Sequence, residues 1–321
     1  MINPQDVVNA YRLILGREPE SDELVNRYAA EISDINALRD LFLSSSEFRH
    51  RFEHVYAPKR SRRGFFGSSM HVELNAEPEQ LAKLYAKTAA QWHHLGETEP
   101  YWSVITQENY LQSHFQQSRE VFYATGEQEA KVLDSTLERH LIEPRSLGRC
   151  VELGCGVGRV TGALARRYRE VVAIDISEPH LRLADEELQK QGVNNVTYKQ
   201  LTFLEQTQDL GSIDLFYSKI VLQHNPPPVM AVLLKNFLAA LSPGGVGFFQ
   251  IPVFKAGYKF LIEPYLCEDN QTNMEMHFFP QVALLQLVAD AGCRVCELYE
   301  DDAIGTSVSM LSNTLLVQKL D

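Results

Sequence analysis

Cys150-Val151-Glu152-Leu153-Gly154-Cys155-Gly156-Val157-Gly158-Arg159-Val160 is an apolar run that ends in three glycines at alternate positions. The apolar part reads as a buried strand, and 160–168 reads as the helix that follows. Glycine, without a Cβ, permits backbone angles closed to other residues and lets a ligand lie against the main chain. Amides at the start of the next helix then face negative or polar ligand groups. The following strand, 171–175, ends in Asp175. A carboxylate at that tip suits the two hydroxyls of a ribose.

Nicotinamide enzymes also combine such glycines with an acid after the second strand. Their fingerprint, however, places its third glycine at position 159, where this chain has Arg. The spacing E-x-G-x-G-x-G instead resembles the first motif of class I S-adenosylmethionine-dependent methyltransferases, matched by Glu152, Gly154, Gly156 and Gly158. The resemblance extends over about residues 100–320. It implies a Rossmann-like α/β fold, with a seven-stranded sheet of order 3-2-1-4-5-7-6, the last strand antiparallel, and helices on both faces. It also implies S-adenosyl-L-methionine as cofactor, held by Glu152, Gly154, Cys155, Gly156, Gly158, Arg159, Asp175 and Ile176, with Ser218 nearby. Many relatives place an Asp after strand three to hold the adenine amino group. This chain has Thr202 there, so the Thr202 hydroxyl or the Phe203 amide is the expected contact.

The alternation beyond the motif agrees with a largely parallel sheet covered by helices. Residues 196–199 read as strand three and 213–218 as strand four. An L-x-P-G-G turn at 241–245 precedes strand five at 246–251, and the last two strands fall near 294–299 and 313–319.

Methyl transfer is an in-line displacement, for which positioning supplies much of the acceleration. A hydroxyl acceptor also needs a base. His224, in Val221-Leu222-Gln223-His224-Asn225-Pro226-Pro227 just past strand four, is the first candidate. The carboxyl end of that strand faces the crevice, and an imidazole works there near neutral pH without a metal. The alternative role is a backbone contact that shapes the pocket. The V-L-Q-H-x-P-P string resembles a group of bacterial methyltransferases, some of which methylate sugars. His277, in an insertion after strand five, is the second candidate, and Gln223 and Trp102 are the expected acceptor contacts. Trp102 has core packing as its alternative role. Arg159 suits the cofactor carboxylate or an acidic substrate, or else lies on a helix surface. No metal site is expected: Glu300-Asp301-Asp302 reads as a solvated loop.

Outward from the core, 78–321 reads as the methyltransferase domain, with a helical cap at 78–141 and the Rossmann-like core at 142–321. Residues 56–77 read as a linker and carry the basic cluster Lys59-Arg60-Ser61-Arg62-Arg63. Residues 1–55 read as three capped helices starting after Asn3, Ser21 and Asp34, with Val7, Val8, Tyr11, Leu13 and Ile14 as the first apolar stripe and Ser46 opening a final turn. AYRLILGREPESDEL (10–24) and LFLSSSEF (41–48) resemble a small helical domain of unknown function found in bacterial glycosyltransferases and surface-glycan proteins. That resemblance implies an accessory module and a possible protein partner.

A net charge of −12 argues against a nucleic-acid binder. No apolar run is long enough to span a membrane, and the first twenty residues do not read as a secretory signal. Five cysteines do not read as a disulfide framework, so a cytoplasmic location is expected. The function expected is O-methylation of a sugar, glycan or other small-molecule hydroxyl with His224 as base. The alternatives are methylation of nitrogen or another small-metabolite atom, or a non-catalytic cofactor-binding partner in a glycan-assembly complex.

Overall fold

Asn3, Ser21 and Asp34 each open a helix because each offers a side-chain oxygen to amides the first turn leaves unpaired. The helices are α1 (Pro4–Ala10), α2 (Asp22–Glu31) and α3 (Ile35–Ser44). Asn3 accepts from the Asp6 amide at 2.9 Å, Ser21 from the Leu24 amide at 3.2 Å, and Asp34 from the Asn36 and Ala37 amides. The computed structural model describes residues 2–45, 47–48, 69–268, 274–305, 307 and 309–320. The chain divides into two compact units, 1–65 and 66–321.

In the small unit, α1 continues into a π turn, Tyr11–Leu15, which Gly16 ends with φ of 61°. Val7, Tyr11 and Leu15 bury against Val25, Leu38 and Phe42, and the Tyr11 and Phe42 rings meet edge-on at 4.8 Å. Leu13, expected in this stripe, is 85% exposed. At about 100° per residue it lies on the far side of the helix from Tyr11, and Leu15 takes its place. Ser46, the basic cluster at 59–63 and residues 56–68 of the expected linker lie outside the described residues. The rest of that linker carries β1 (His71–Val72), which pairs in parallel with β7 (Lys259–Phe260).

The large unit opens with two long helices, α4 (Pro78–Thr98) and α5 (Phe115–Arg139). Its main strands are β2 (Arg149–Leu153), β3 (Glu170–Asp175), β4 (Val196–Gln200), β5 (Ile213–Ser218), β6 (Leu241–Lys255), β8 (Cys293–Asp301) and β9 (Met310–Lys319). They form one sheet in the order β4-β3-β2-β5-β6-β9-β8, in which β9 runs antiparallel to both neighbours. This is the expected seven-stranded order. Helices α6 (Thr161–Ala165), α7 (Glu178–Lys190), α8 (Pro227–Ala239), α9 (Ile262–Cys267) and α10 (Gln281–Asp290) complete the unit. Leu84, Val229, Leu233 and Leu284 pack on one face of the sheet with Val151, Phe216 and Phe249. Leu133, Leu137 and Leu164 pack with Cys150, Leu215 and Phe248 on the other.

Strand β6 departs from the expected turn-then-strand. Leu241 pairs with Ile213 and Val246 with Leu215, so 242–245 bulge out of a continuous strand. Ser242 anchors the bulge on the Ile213 carbonyl and the Asp214 carboxylate, both at 2.9 Å. The acids expected in a solvated loop differ too: Glu300 and Asp301 pair with Asn313 and Ser312 at the end of β8.

Candidate active site

At the carboxyl ends of β2, β3 and β5 the large unit opens a cleft. Its floor is the glycine bend. Gly154 and Gly156 line it with φ of 76° and 52°, angles that strain any residue with a Cβ. Space forbids a Cβ as well: one at Gly154 would fall among the methyls of Val221, and one at Gly156 would meet a Val104 methyl at 2.8 Å. Asp175 locks the bend, its Oδ2 accepting from the Gly156 amide at 2.8 Å and its Oδ1 from the Ser177 amide at 2.9 Å.

Deeper in lie buried polar groups. Glu152 accepts from the Thr161 hydroxyl at 2.6 Å, yet burial pushes its pKa up to about 7. Nearby Arg159 donates to the Thr125 hydroxyl at 3.1 Å, while its buried Nε and the buried Tyr217 hydroxyl have no hydrogen-bond partner. Lys219 is paired with Glu129. Such orphaned donors are costly and call for a polar ligand.

The raised Glu152 pKa has a consequence for stability. Folded Glu152 keeps its proton to about pH 7, whereas the unfolded chain releases it near the ordinary carboxyl value of 4.5. The stability this contributes is full below the lower value and is lost as pH rises through the upper one. Glu152→Gln lacks that titration. Between pH 4 and pH 8 the wild-type protein should lose roughly 3 kcal/mol more than the variant. Urea unfolding of both proteins at the two pH values checks it, and parallel changes would show an ordinary carboxyl at 152.

Of the residues expected from sequence, Glu152, Gly154, Cys155, Gly156, Arg159, Asp175 and Ile176 line the cleft. Gly158 does not; its positive φ turns the chain where Ala184 of α7 packs against it. Ser218 is buried and bonds the Leu153 carbonyl, tying β5 to β2. Thr202 and Phe203 also stand off the cleft. Both amides donate to Gln206 Oε1, at 2.7 and 3.2 Å, and the Phe203 ring is exposed. Leu201 lines the cleft in their stead, its carbonyl held by the Tyr85 hydroxyl at 2.6 Å.

Trp102, an expected acceptor contact, also lies off the cleft, half-buried, because its neighbours Ser103 and Val104 take the inward side of the turn. Trp92 of α4 lines the cleft, as do Tyr85 and Thr88. The spacing 85, 88, 92 puts the three on one helix face; that was the signal for them in the sequence. Trp92 lies edge-on to His224, ring centres 5.1 Å apart, and 6.2 Å from His180. Buried His180, another residue the sequence reading passed over, links the Ser177 and Ser103 hydroxyls at 2.8 and 2.9 Å, and burial lowers its pKa.

His224 sits behind Trp92, with 7% of its surface exposed, and does not line the cleft. Its Nδ1 donates to the Glu275 carbonyl at 3.0 Å and its Nε2 faces the Gln223 amide nitrogen at 3.3 Å. Burial pushes its pKa down to about 4, so the ring is neutral and weakly basic. Gln223 is buried against it and also stands off the cleft. His277 is likewise buried; its Nδ1 meets the Tyr258 hydroxyl at 2.9 Å, and its amide donates to the Gln223 carbonyl at 2.7 Å. Among the described residues no group of three or more His, Cys, Asp or Glu side chains could hold a metal.

Residues 150–245 match a family described as a methyltransferase domain. The ubiquinone biosynthesis O-methyltransferase of Acinetobacter baylyi is 27% identical over 180 residues, which cover 56% of this chain and 63% of that protein. The trans-aconitate 2-methyltransferase of Deinococcus radiodurans is 33% identical over 114 residues, 35% of this chain and 41% of that one. This chain therefore spans less than two thirds of the length of these curated relatives. Among solved structures, the N-methyltransferase NodS from Bradyrhizobium japonicum in complex with S-adenosyl-L-homocysteine is 14% identical, with a TM-score of 0.49, covering 73% of this chain and 100% of that one. The sheet order, the glycine bend and the match over 150–245 together give this chain the fold of the class I S-adenosylmethionine-dependent methyltransferases, with a small helical region at its N-terminal end.

Proposed function

We propose that the chain is an S-adenosylmethionine-dependent methyltransferase acting on a small molecule whose accepting atom needs no strong base, such as a nitrogen or an acidic hydroxyl. The observation that carries this reading is the state of His224: neutral, weakly basic, engaged at both nitrogens and behind Trp92. A base of pKa near 4 has little power to take a proton from a sugar hydroxyl at neutral pH.

The cleft suits the cofactor. Asp175 has two backbone amides on it, and a carboxylate offers about four acceptor positions, which leaves room for ribose hydroxyls. The orphaned Arg159 Nε and Tyr217 hydroxyl would meet a carboxylate, and Glu152 an ammonium group. Ile176 and Leu201 offer apolar surface to a base. When bound, S-adenosylmethionine supplies an electrophilic methyl group on a sulfonium. The protein's part is to orient both partners in line and to keep water out, the roles of Trp92, Val104 and Val221 at the cleft wall.

Methylation of a sugar or glycan hydroxyl is the second reading. It is favoured by the His224 tautomer, since donation from Nδ1 to the Glu275 carbonyl leaves the Nε2 lone pair free to act as a base if Gln223 swings away. His224→Ala, incubated with labelled cofactor and a panel of amines, phenols, carboxylates and sugars, separates the two. Under the first reading transfer stays within about threefold of wild type; a base loses at least ~100-fold. The same assay on residues 66–321 alone tests the small unit as an accessory module, which requires equal transfer. A cytoplasmic location is part of the proposal and accords with five free thiols. No helix among the described residues is long and apolar enough to cross a membrane.

A further inference from the structure

Three residues after β5 line the cleft, Lys219, Ile220 and Val221, and the middle one has a backbone φ of 58°. For a β-branched residue the left-handed region is a genuine outlier, tolerated only where the surroundings enforce it. The enforcing group here is the side chain of Gln250. The Ile220 amide donates to Gln250 Oε1 at 3.0 Å, and Gln250 Nε2 donates to the Ser312 hydroxyl at 2.6 Å. Gln250 on β6 is fully buried and Ser312 on β9 is 1% exposed, so the anchoring bond between them is shielded from water.

The turn has a definite result. Before it, the Ser218 hydroxyl is fixed to the Leu153 carbonyl. The reversal at Ile220 then sends Lys219 toward Glu129 and sets Val221 against Gly154. An ordinary negative φ would turn the two neighbours away from those contacts.

We propose that Gln250 is a positioning residue: by holding Ile220 left-handed it sets Lys219 and Val221 on the cleft wall and so sets the affinity for the cofactor. The inference rests on the cofactor reading above. Gln250→Leu keeps the volume but removes the acceptor, and Ile220 then relaxes. Glycine occupies the left-handed region without strain, so Ile220→Gly removes the need for the clamp.

Calorimetry with S-adenosylhomocysteine tests this on wild type, Q250L, I220G and the double variant. We expect Q250L to raise Kd about tenfold, the cost scale of one left-handed β-branched residue. I220G alone gives the baseline for the lost side chain, and the double variant should return to that baseline. A wild-type Kd in Q250L, or a double variant as weak as Q250L, overturns the inference. If Q250L does not fold, Ser312→Ala, which frees only the far end of the amide, replaces it under the same requirement of rescue by I220G. Wild-type protein that binds no S-adenosylhomocysteine sinks the cofactor reading and this inference with it; binding by wild type with unchanged variants sinks the inference alone.

Discussion

Gly126→Ala is expected to destabilise the protein by about 2 kcal/mol or more, although alanine in a helix interior normally gains about 1 kcal/mol over glycine. Gly126 is buried in α5, where a Cβ would lie inside the contact shell of the Arg159 carbonyl, with the Arg159 carbonyl carbon at 2.7 Å and the Val160 nitrogen at 3.2 Å. These are backbone atoms, so no side chain can swing aside. Helix α5 and the glycine bend have to separate. That contact also braces the cleft: Tyr123 donates to the Val157 carbonyl at 3.3 Å and Thr125 accepts from Arg159 at 3.1 Å. Overpacking typically costs about 1–3 kcal/mol and more where the obstacle is rigid. In a unit of this size each kcal/mol lowers Tm by roughly 2–4 °C. Scanning calorimetry should therefore show a fall of about 5 °C or more, with weaker binding of S-adenosylhomocysteine. A Tm at or above the wild-type value would show that the helix and the bend do not touch.

This sign reversal marks the boundary of what the sequence could show. The glycine bend was legible because its signal is local: alternate glycines after an apolar strand, then an acid at the next strand's end. Helix caps at Asn3, Ser21 and Asp34 were legible for the same reason, each acting within three residues. Gly126 carries no such signal, since its need for a missing Cβ arises from a carbonyl thirty-three positions away. Trp92 and Trp102 show the same limit. Both belong to the cap ahead of the core, and only the packing of α4 over the cleft decides that Trp92 faces inward.

The loop after β5 was legible in place, but the surroundings of its histidine were not. Its position at a strand's carboxyl end follows from topology. The direction in which His224 points depends on an insertion returning from beyond β6, whose Glu275 carbonyl captures Nδ1. The position of Thr202 and Phe203 depends on a similar contact. Thr202 and Phe203 have suitable groups, but Gln206, one helical turn on, takes both amides first.

Asp175→Ala is expected to give the largest loss of cofactor affinity of any single change in the cleft. The carboxylate has two tasks: it holds the Gly156 and Ser177 amides at 2.8 and 2.9 Å, and it faces the cleft with its remaining lone pairs. Hydrogen bonds to a charged group are worth about 1.5–3 kcal/mol each. Losing two to the ligand lowers affinity by roughly 100-fold or more. Asp175→Asn separates the tasks. An amide keeps the shape and one acceptor oxygen but turns a donor toward one of the two backbone amides, so it should fall between wild type and alanine. Calorimetry with S-adenosylhomocysteine and its 2′-deoxy analogue then assigns the ribose. If Asp175 holds that hydroxyl, the deoxy analogue binds wild type more weakly, yet Asp175→Ala no longer distinguishes the two ligands. A variant that still discriminates between them would leave Asp175 as a brace for the glycine bend, with the ribose held elsewhere.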